Sequence, residues 1–169
     1  MTRTAGREDV DVAVVTVSDR CSRGEAQDRS GPLLVELLAA SGWTRVSTVL
    51  VPDGAESVRD ALAHVVGEGA RLVLTTGGTG VAPRDLTPEG TRLVVDQELP
   101  GIAEELRRRG AEHVPTAVLS RGLAGTAPGP AGRVLVVNLP GSTGGVRDGW
   151  DVLAPLVPHV LAQLGGGDH

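Results

Sequence analysis

The chain has 169 residues, a net charge of −5 and 40% hydrophobic residues, but no Phe, no Tyr and only two Trp. Its length suits one domain, and its negative charge argues against a nucleic-acid partner, because such binders usually carry a basic face. With so few aromatic residues, the core must be filled by Val, Leu, Ala and Gly. That composition favours closely packed layers of strand and helix.

The expected location is the cytoplasm. Cys21 is the only cysteine, so an internal disulfide cannot form and a reducing compartment is expected. The start of the chain is polar and lacks a signal-peptide core, and no apolar run approaches the length that spans a membrane. We expect flexible tails at residues 1–9 and 165–169 around a single domain of residues 10–164.

The first half of the chain predicts two strands and two helices. Residues 10–17 (VDVAVVTV) are typical of a strand buried on both faces. A helix follows, with Ser30 as its predicted cap and Gly42 at its end. Residues 45–51 predict a second strand. The next helix has apolar residues at the spacing of one helical face, namely Val58, Ala61, Leu62, Val65 and Val66.

The middle of the chain predicts a third buried strand at residues 71–76 (RLVLTT), directly before a glycine-rich turn. Thr87 is predicted to cap the following helix, with Pro88 in its first turn. Pro100 ends that helix, and residues 101–109 predict another. Strands alternate with helices up to this point, which indicates parallel pairing.

The last third of the chain contains a stretch rich in Gly and Pro, residues 122–132, which predicts an exposed loop. Residues 133–137 predict a fourth strand, and residues 138–142 turn the chain into a final helix. The whole pattern predicts an α/β fold: a three-layer sandwich with a mainly parallel central sheet and helices on both faces.

Ligands of such sheets bind outside the carboxyl ends of the strands. Four polar or glycine-rich segments follow predicted strands and are therefore candidates: residues 18–19, 51–53, 77–85 and 138–142. The last of these also begins a helix, where free amides and the helix dipole attract anions. A plain turn with Ser142 as a cap explains that segment equally well.

The glycine-rich turn has two interpretations. Glycines after a strand allow backbone amides to approach a phosphate, but four such residues alone are more often a tight turn. The dinucleotide fingerprint is excluded because Pro83 stands where its third Gly should be. A P-loop is excluded because no Gly-Lys-Ser/Thr follows.

Two aspartates near these segments are candidate functional residues. Asp85 lies beside the glycine turn and can hold Mg²⁺, which binds phosphate oxygens, whereas Thr87 is better placed to cap the helix. Asp53 stands three residues before Glu56, the spacing of a capping box, so this pair alone predicts that Asp53 caps a helix. One oxygen of its carboxylate can cap while the other faces a cleft. Arg84 either neutralises a phosphate or is simply solvated. No histidine has metal-ligand spacing, and Cys21 is interpreted as an incidental thiol.

Together the motifs resemble the MogA/MoaB family of molybdopterin adenylyltransferases and the G domain of gephyrin, which has the same fold. Their order and spacing agree over residues 10–164, and the long run from glycine turn to helix is the most specific. One departure lies at residues 125–133, which puts contacts from that loop in doubt. The matching segments are TVSDR (16–20), DRSGP (28–32), VPD (51–53), TTGGTG (75–80), PRDLTPE (83–89), PG (100–101), LSR (119–121) and NLPGS (138–142).

The resemblance implies a reaction of molybdopterin with Mg-ATP that gives adenylyl-molybdopterin and pyrophosphate. By matching positions, Asp53 and Asp85 are the implied catalytic carboxylates, and Asp85 is the implied Mg²⁺ ligand. The implied substrate- and nucleotide-binding residues are Ser18, Asp19, Gly77, Gly78, Thr79, Gly80, Thr87, Pro88, Glu89, Ser120, Arg121, Asn138, Pro140, Gly141 and Ser142.

The resemblance also implies a homo-oligomer, a trimer or a hexamer of paired trimers, and a molybdenum-insertion protein as partner. A second interpretation is a non-catalytic molybdopterin-binding or scaffold paralogue of the MoaB type. A third, based on the motifs alone, is an α/β nucleotide-binding protein unrelated to pterins. The presence of both carboxylates favours the enzyme.

Overall fold

One sheet organises the structure, a computed structural model that describes residues 6–167. Along the sheet the order is β2-β1-β3-β6-β5-β4, with β1, β2, β3 and β6 parallel and β4 and β5 antiparallel. The predicted mainly parallel sheet is thus confirmed. The strands are β1 (Asp11–Val17), β2 (Arg45–Val51), β3 (Leu72–Thr76), β4 (Gln97–Glu98), β5 (Ala124–Ala127) and β6 (Val134–Leu139).

Helices cover both faces of the sheet, as predicted. Short 3-10 helices span Arg7–Asp9 and Pro115–Leu119. None of the helices within residues 6–167 is both long and apolar enough to cross a membrane. The α-helices are α1 (Asp19–Ser22), α2 (Ser30–Ala40), α3 (Ala55–Gly67), α4 (Thr87–Arg92), α5 (Pro100–Ala111) and α6 (Thr143–Leu164).

The alternation of side chains along β1 builds two separate cores, one on each side of the sheet. Val12 and Val14 face α2 and α6, whereas Ala13, Val15 and Val17 face α3. All five are almost fully buried. Because both faces are covered, the strand is almost wholly apolar, which is why its sequence lacks a polar alternation.

The predicted exposed loop at residues 122–132 is wrong, because its first half contains β5, whose four residues are all buried. β5 pairs with β6 and β4, and Gly125 is required there. A Cβ on Gly125 would lie 2.6 Å from the backbone oxygen of Gln97. Glycine therefore permits a close approach of strands, whereas the sequence pattern treats it as a loop signal.

Two predicted helix caps are also wrong. Ser30 and Thr87 are the first residues of α2 and α4, and neither side chain caps its helix. The carboxylate of Asp28 accepts the amide of Gly31 instead, at 3.0 Å. Ser142 does cap α6, since its hydroxyl accepts the amide of Gly145 at 3.1 Å. Of the expected tails, residues 1–5 and 168–169 lie outside the described residues.

Candidate active site

The four segments named from the sequence meet at one edge of the sheet. The amide of Ser18 donates to the carbonyl oxygen of Val51 at 2.9 Å, which joins the ends of β1 and β2. The amide of Gly77 donates to Leu139 O at 3.1 Å, which joins the ends of β3 and β6. The chain crosses from one side of β1 to the other between β2 and β3, so this edge includes the switch point where α/β proteins bind ligands.

The glycine turn, residues 77–80, has all four of its carbonyl oxygens bound by protein donors. The hydroxyl and amide of Thr87 donate to the first two, at 2.9 and 3.1 Å. The amide and Nε of Arg121 donate to the last two, at 2.7 and 2.8 Å. This is what Thr87 does in place of the predicted cap.

The amides of residues 78–81, unlike these carbonyls, are free: none of them donates a hydrogen bond to a protein atom within residues 6–167. With the carbonyls anchored to the protein, the free donors of this turn remain for an anion. Free amides suit the anion-binding interpretation of this turn, which stays a prediction. We call residues 77–81 the phosphate loop.

Glycine is required at the start of the phosphate loop. Gly77 and Gly78 have φ angles of +92° and +66°, a region that side chains disfavour. A Cβ on Gly77 would lie 2.3 Å from Val17 O, and one on Gly78 would lie 2.2 Å from the Thr87 hydroxyl oxygen. Side chains at these positions would push the loop off β1 and α4.

Asp19 and Asp53 brace the turns after β1 and β2 against each other. The amide of Asp19 donates to Asp53 Oδ2 at 2.8 Å, and the amide of Asp53 donates to Asp19 Oδ1 at 3.1 Å. The predicted capping role of Asp53 is wrong, since Gly54 occupies the N-cap of α3 and the Asp53 carboxylate accepts no amide of that helix. Asp53 instead faces Gly78, whose Cβ would lie 3.1 Å from Asp53 Oδ1.

Arg84 is bound to protein rather than simply solvated. Its Nε and Nη2 each donate to Asp19 at 3.0 Å, and Nη2 also donates to Asp53 O at 2.6 Å. The hydrogen bond from Arg84 is the main cause that lowers the pKa of Asp19. Asp19 therefore stays ionised, and its charge is already compensated.

Asp85 lies on the other side of the phosphate loop. Its Oδ2 accepts the amide of Ala82 at 3.1 Å and would lie 2.7 Å from a Cβ on Gly80. Oδ1 of Asp85 and Oδ1 of Asp53 accept no hydrogen bond from residues 6–167. Each carboxylate thus has one oxygen that is hydrogen-bonded to a backbone amide and one oxygen that is available for another ligand.

A metal ion at this edge would need ligands from its substrate. Residues 6–167 contain no group of three or more His, Cys, Asp or Glu that could hold one. Mg²⁺ commonly binds through one or two carboxylates together with phosphate oxygens. The free oxygens of Asp53 and Asp85 fit that mode of binding.

Several residues named from the sequence have structural contacts within the protein. Asn138 is buried, and its side chain bonds the hydroxyls of Thr75 and Thr91 and the amide of Leu123. Pro88 is buried in α4. Ser120 and Pro140 line a small cavity between α5 and α6. Glu89 and Arg121 pair with each other.

A groove of about 430 Å³ lies beside the phosphate loop, and sequence reasoning missed the part of its wall that residues 27–30 form. Its wall includes Asp28, whose carboxylate accepts hydrogen bonds from the Thr16 and Ser30 hydroxyls at 2.7 and 3.3 Å. The signal was present as the DRSGP motif, but only its Ser was given a role. Ser18, Gly77, Gly141 and Ser142 line the same groove.

An edge with free amides and two nearby carboxylates can bind a phosphate chain and any cation that it carries. The comparisons with known proteins agree with such a site. The family profile described as "Probable molybdopterin binding domain" matches residues 13–159. The chain is 40% identical to a Pyrococcus furiosus protein named molybdopterin adenylyltransferase, over 88% of this chain and 87% of that protein.

The chain is also 39% identical to a bifunctional molybdenum cofactor biosynthesis protein of Synechococcus elongatus, over 92% of its own length. It spans 48%, about half, of that longer relative. The solved structure of the Mog protein of molybdopterin biosynthesis from Mycobacterium ulcerans superposes with a TM-score of 0.85 at 43% identity, covering 93% of this chain and 97% of that one. The chain belongs to the MogA/MoaB molybdopterin-binding family of molybdenum cofactor biosynthesis.

Proposed function

We propose that this protein transfers the adenylyl group of Mg-ATP to molybdopterin, giving adenylyl-molybdopterin and pyrophosphate. The name of the Pyrococcus furiosus relative supports the reaction. One structural observation carries the proposal. The loop of residues 78–81 has free amides, Asp53 lies beside its Gly78 and Asp85 beside its Gly80. Each carboxylate has one oxygen that accepts no hydrogen bond from the described residues.

In the proposed reaction, an oxygen of the terminal phosphate of molybdopterin attacks the α-phosphorus of ATP. A new P–O bond forms there, and the bond between the α-phosphorus and the bridging oxygen to the β-phosphate breaks. The electron pair leaves with pyrophosphate, and nothing is oxidised or reduced. The protein mainly aligns the two phosphates and compensates the charge on their oxygens.

The amides of the phosphate loop would donate hydrogen bonds to non-bridging phosphate oxygens. Asp53 is held by the amide of Asp19 and Asp85 by the amide of Ala82, so both free oxygens are fixed in place before substrate arrives. Mg²⁺, when bound with ATP, would supply charge compensation, and these two oxygens are its proposed ligands. The product would then pass to a molybdenum-insertion protein.

The deciding experiment mixes the protein with Mg-ATP and molybdopterin and measures pyrophosphate release. We expect release that needs molybdopterin, with about one adenylyl-molybdopterin formed per pyrophosphate. A reaction without molybdopterin controls for ATP hydrolysis. Tight molybdopterin binding with no pyrophosphate release would instead support the binding-only paralogue. Binding of ATP but not of molybdopterin would support a nucleotide-binding protein unrelated to pterins.

A further inference from the structure

The segment that carries Asp85, residues 82–85, has little of its own to hold it in place. It belongs to no helix or strand, residues 82–84 are exposed, and Asp85 is only partly buried. Within the segment, the amide of Asp85 donates to Ala82 O at 3.0 Å, and the amide of Ala82 donates to Asp85 Oδ2 at 3.1 Å. Because none of its side chains is buried, the position of the segment depends on polar contacts with the rest of the protein.

Two arginines make those contacts, one on each side of the segment. On the side of α4, Arg121 donates to Asp85 O. On the side of β1 and β2, Arg84 donates to Asp53 O at 2.6 Å and to the carboxylate of Asp19 twice, at 3.0 Å each. No other hydrogen bond joins residues 82–85 to the remainder of residues 6–167. The two guanidinium groups therefore locate Asp85.

The partner of Arg84, Asp19, has protein donors on both of its carboxylate oxygens. Oδ1 accepts Arg84 Nη2 and the amide of Asp53, and Oδ2 accepts Arg84 Nε. Two parallel hydrogen bonds between a guanidinium and a carboxylate fix the orientation of the groups as well as their distance. Asp53 and Asp85 differ, since each keeps one oxygen that accepts no hydrogen bond from the described residues. The contacts of Asp19 thus suit a support better than a ligand.

Arg84 also links the two carboxylates that the proposed reaction needs. It directly precedes Asp85 in the chain, and its Nη2 bonds the backbone oxygen of Asp53. Only one peptide bond, one arginine side chain and one hydrogen bond therefore separate the backbones of Asp53 and Asp85. Without the guanidinium, the segment would be held on the side of Arg121 alone, and Asp85 could move away from Asp53.

We propose that Arg84 and Asp19 are positioning residues, which hold Asp85 in a fixed place relative to Asp53 before substrate arrives. This inference rests on the proposed function and extends it to two residues that act through those carboxylates rather than on the substrate. A misplacement of about 1 Å at a reacting group can slow a reaction roughly a hundredfold. The competing role for Arg84 is to bind a phosphate itself, which predicts weaker substrate binding instead of a slower reaction.

The first measurement is the steady-state rate of pyrophosphate release for Arg84→Gln, Asp19→Asn and the double variant. We expect kcat to fall about tenfold or more in each single variant, while KM for ATP and for molybdopterin stays within about twofold. The double variant should be no slower than the slower single one, because both changes break the same pair. Arg84→Lys keeps the charge without the two parallel donors and should recover part of kcat. Arg59→Gln, which breaks an exposed pair with Asp60 on α3, is the control and should leave kcat unchanged.

The second measurement is amide hydrogen exchange in the absence of substrate, which reports on the segment directly. The amides of Ala82 and Asp85 are both hydrogen-bonded within it, and their exchange rates follow how often the segment opens. We expect both amides to exchange about tenfold faster in Arg84→Gln than in the parent protein. The amides of β1 and β3 should exchange equally slowly in both proteins, which shows that the variant is folded.

Three results would overturn the proposal. The first is a raised KM with an unchanged kcat in Arg84→Gln, which would assign Arg84 to a phosphate. The others are unchanged exchange of Ala82 and Asp85, and losses of kcat that multiply in the double variant. Failure of the proposed function is a separate result: a parent protein that releases no pyrophosphate would refute adenylyl transfer. Hydrogen exchange of Ala82 and Asp85 would then decide alone whether Arg84 holds the segment.

Discussion

Glu89 and Arg121 are 32 residues apart in the chain and meet as carboxylate and guanidinium directly under the phosphate loop. The same guanidinium donates to Gly80 O and to Asp85 O. Arg121 thus bonds to the phosphate loop, to the backbone of Asp85 and, through Glu89, to α4. Both side chains are about a third exposed, so the pair is expected to contribute on the order of 1 kcal/mol.

Replacing Glu89 by Gln should lower the thermal stability at neutral pH, and the loss should disappear in acid. The hydrogen bond from Arg121 is the main cause that lowers the pKa of Glu89 below its usual 4.5. A lowered pKa stabilises the fold above the unfolded value, and this stabilisation is lost as the pH falls through the folded value. The measurement is the melting temperature of variant and parent from pH 7 down to pH 3.

Glu25→Gln is the control for this prediction, since its ion pair with Arg23 lies on the surface with both side chains more than half exposed. Its effect on the melting temperature should be smaller at every pH. A difference between Glu89→Gln and the parent that is as large at pH 3 as at pH 7 would contradict the role given to the ionised pair.

Replacing Asp85 by Asn should abolish adenylyl transfer while the fold survives. Asn keeps an oxygen that can accept the amide of Ala82, but it removes the charge of the proposed metal-binding carboxylate. We expect single-turnover transfer to fall roughly a hundredfold or more, with molybdopterin binding largely unchanged. Asp60→Asn, at an exposed position of α3, is the control. Activity within about tenfold of the parent, about 1.4 kcal/mol, would exclude Asp85 as a catalytic carboxylate.

Replacing Gly78 by Ala should damage both stability and anion binding. The new Cβ would meet the hydroxyl of Thr87 at 2.2 Å at a φ of +66°, and such strain costs about 1–3 kcal/mol. Gly67→Ala is the matched control, because nothing lies within 4 Å of a Cβ there and Ala is favoured in a helix by about 1 kcal/mol. Urea unfolding and pyrophosphate titration of both variants give the comparison, and equal effects would contradict the requirement for glycine in the loop.

The protein is expected to assemble as a trimer or a hexamer, as its resemblance to the family implies. Val114, Val118 and Leu119 are more than half exposed within one short segment, and assembly would bury such an apolar surface. Light scattering at micromolar concentration should show an assembly of three or six chains. Val118→Asp should dissociate this assembly into smaller species. A stable monomer of the parent protein would exclude this assembly.

The sequence pattern predicted the four parallel strands almost to the residue. In β1, β3 and β6 burial on both faces leaves sequences that are mostly Val, Leu and Ala. The pattern failed for β5, whose sequence AGTA has no large side chain. There the strand exists because its neighbours pair with it, and no local pattern shows that. The predicted tails and oligomer are untested.

The candidate site was predicted in its location but not in its internal contacts. The rule for parallel sheets brought together the four segments that do meet. It could not show that Thr87 binds the loop rather than capping α4, or that Arg84 binds Asp19, since these contacts join residues 10 and 65 positions apart. The roles of the individual site residues remain predictions.

In the phosphate loop, protein donors bind the carbonyl oxygen of every residue from 77 to 80. These hydrogen bonds should affect the rate at which an anion binds. A loop already held in shape needs no folding step when an anion arrives, so binding should be limited by encounter alone. The observed rate of association should then rise linearly with pyrophosphate concentration, without the plateau that a slow rearrangement produces. Thr87→Val removes the hydroxyl that donates to Gly77 O. In this variant the rate of association should reach a plateau, because the loop must become ordered before the ligand binds.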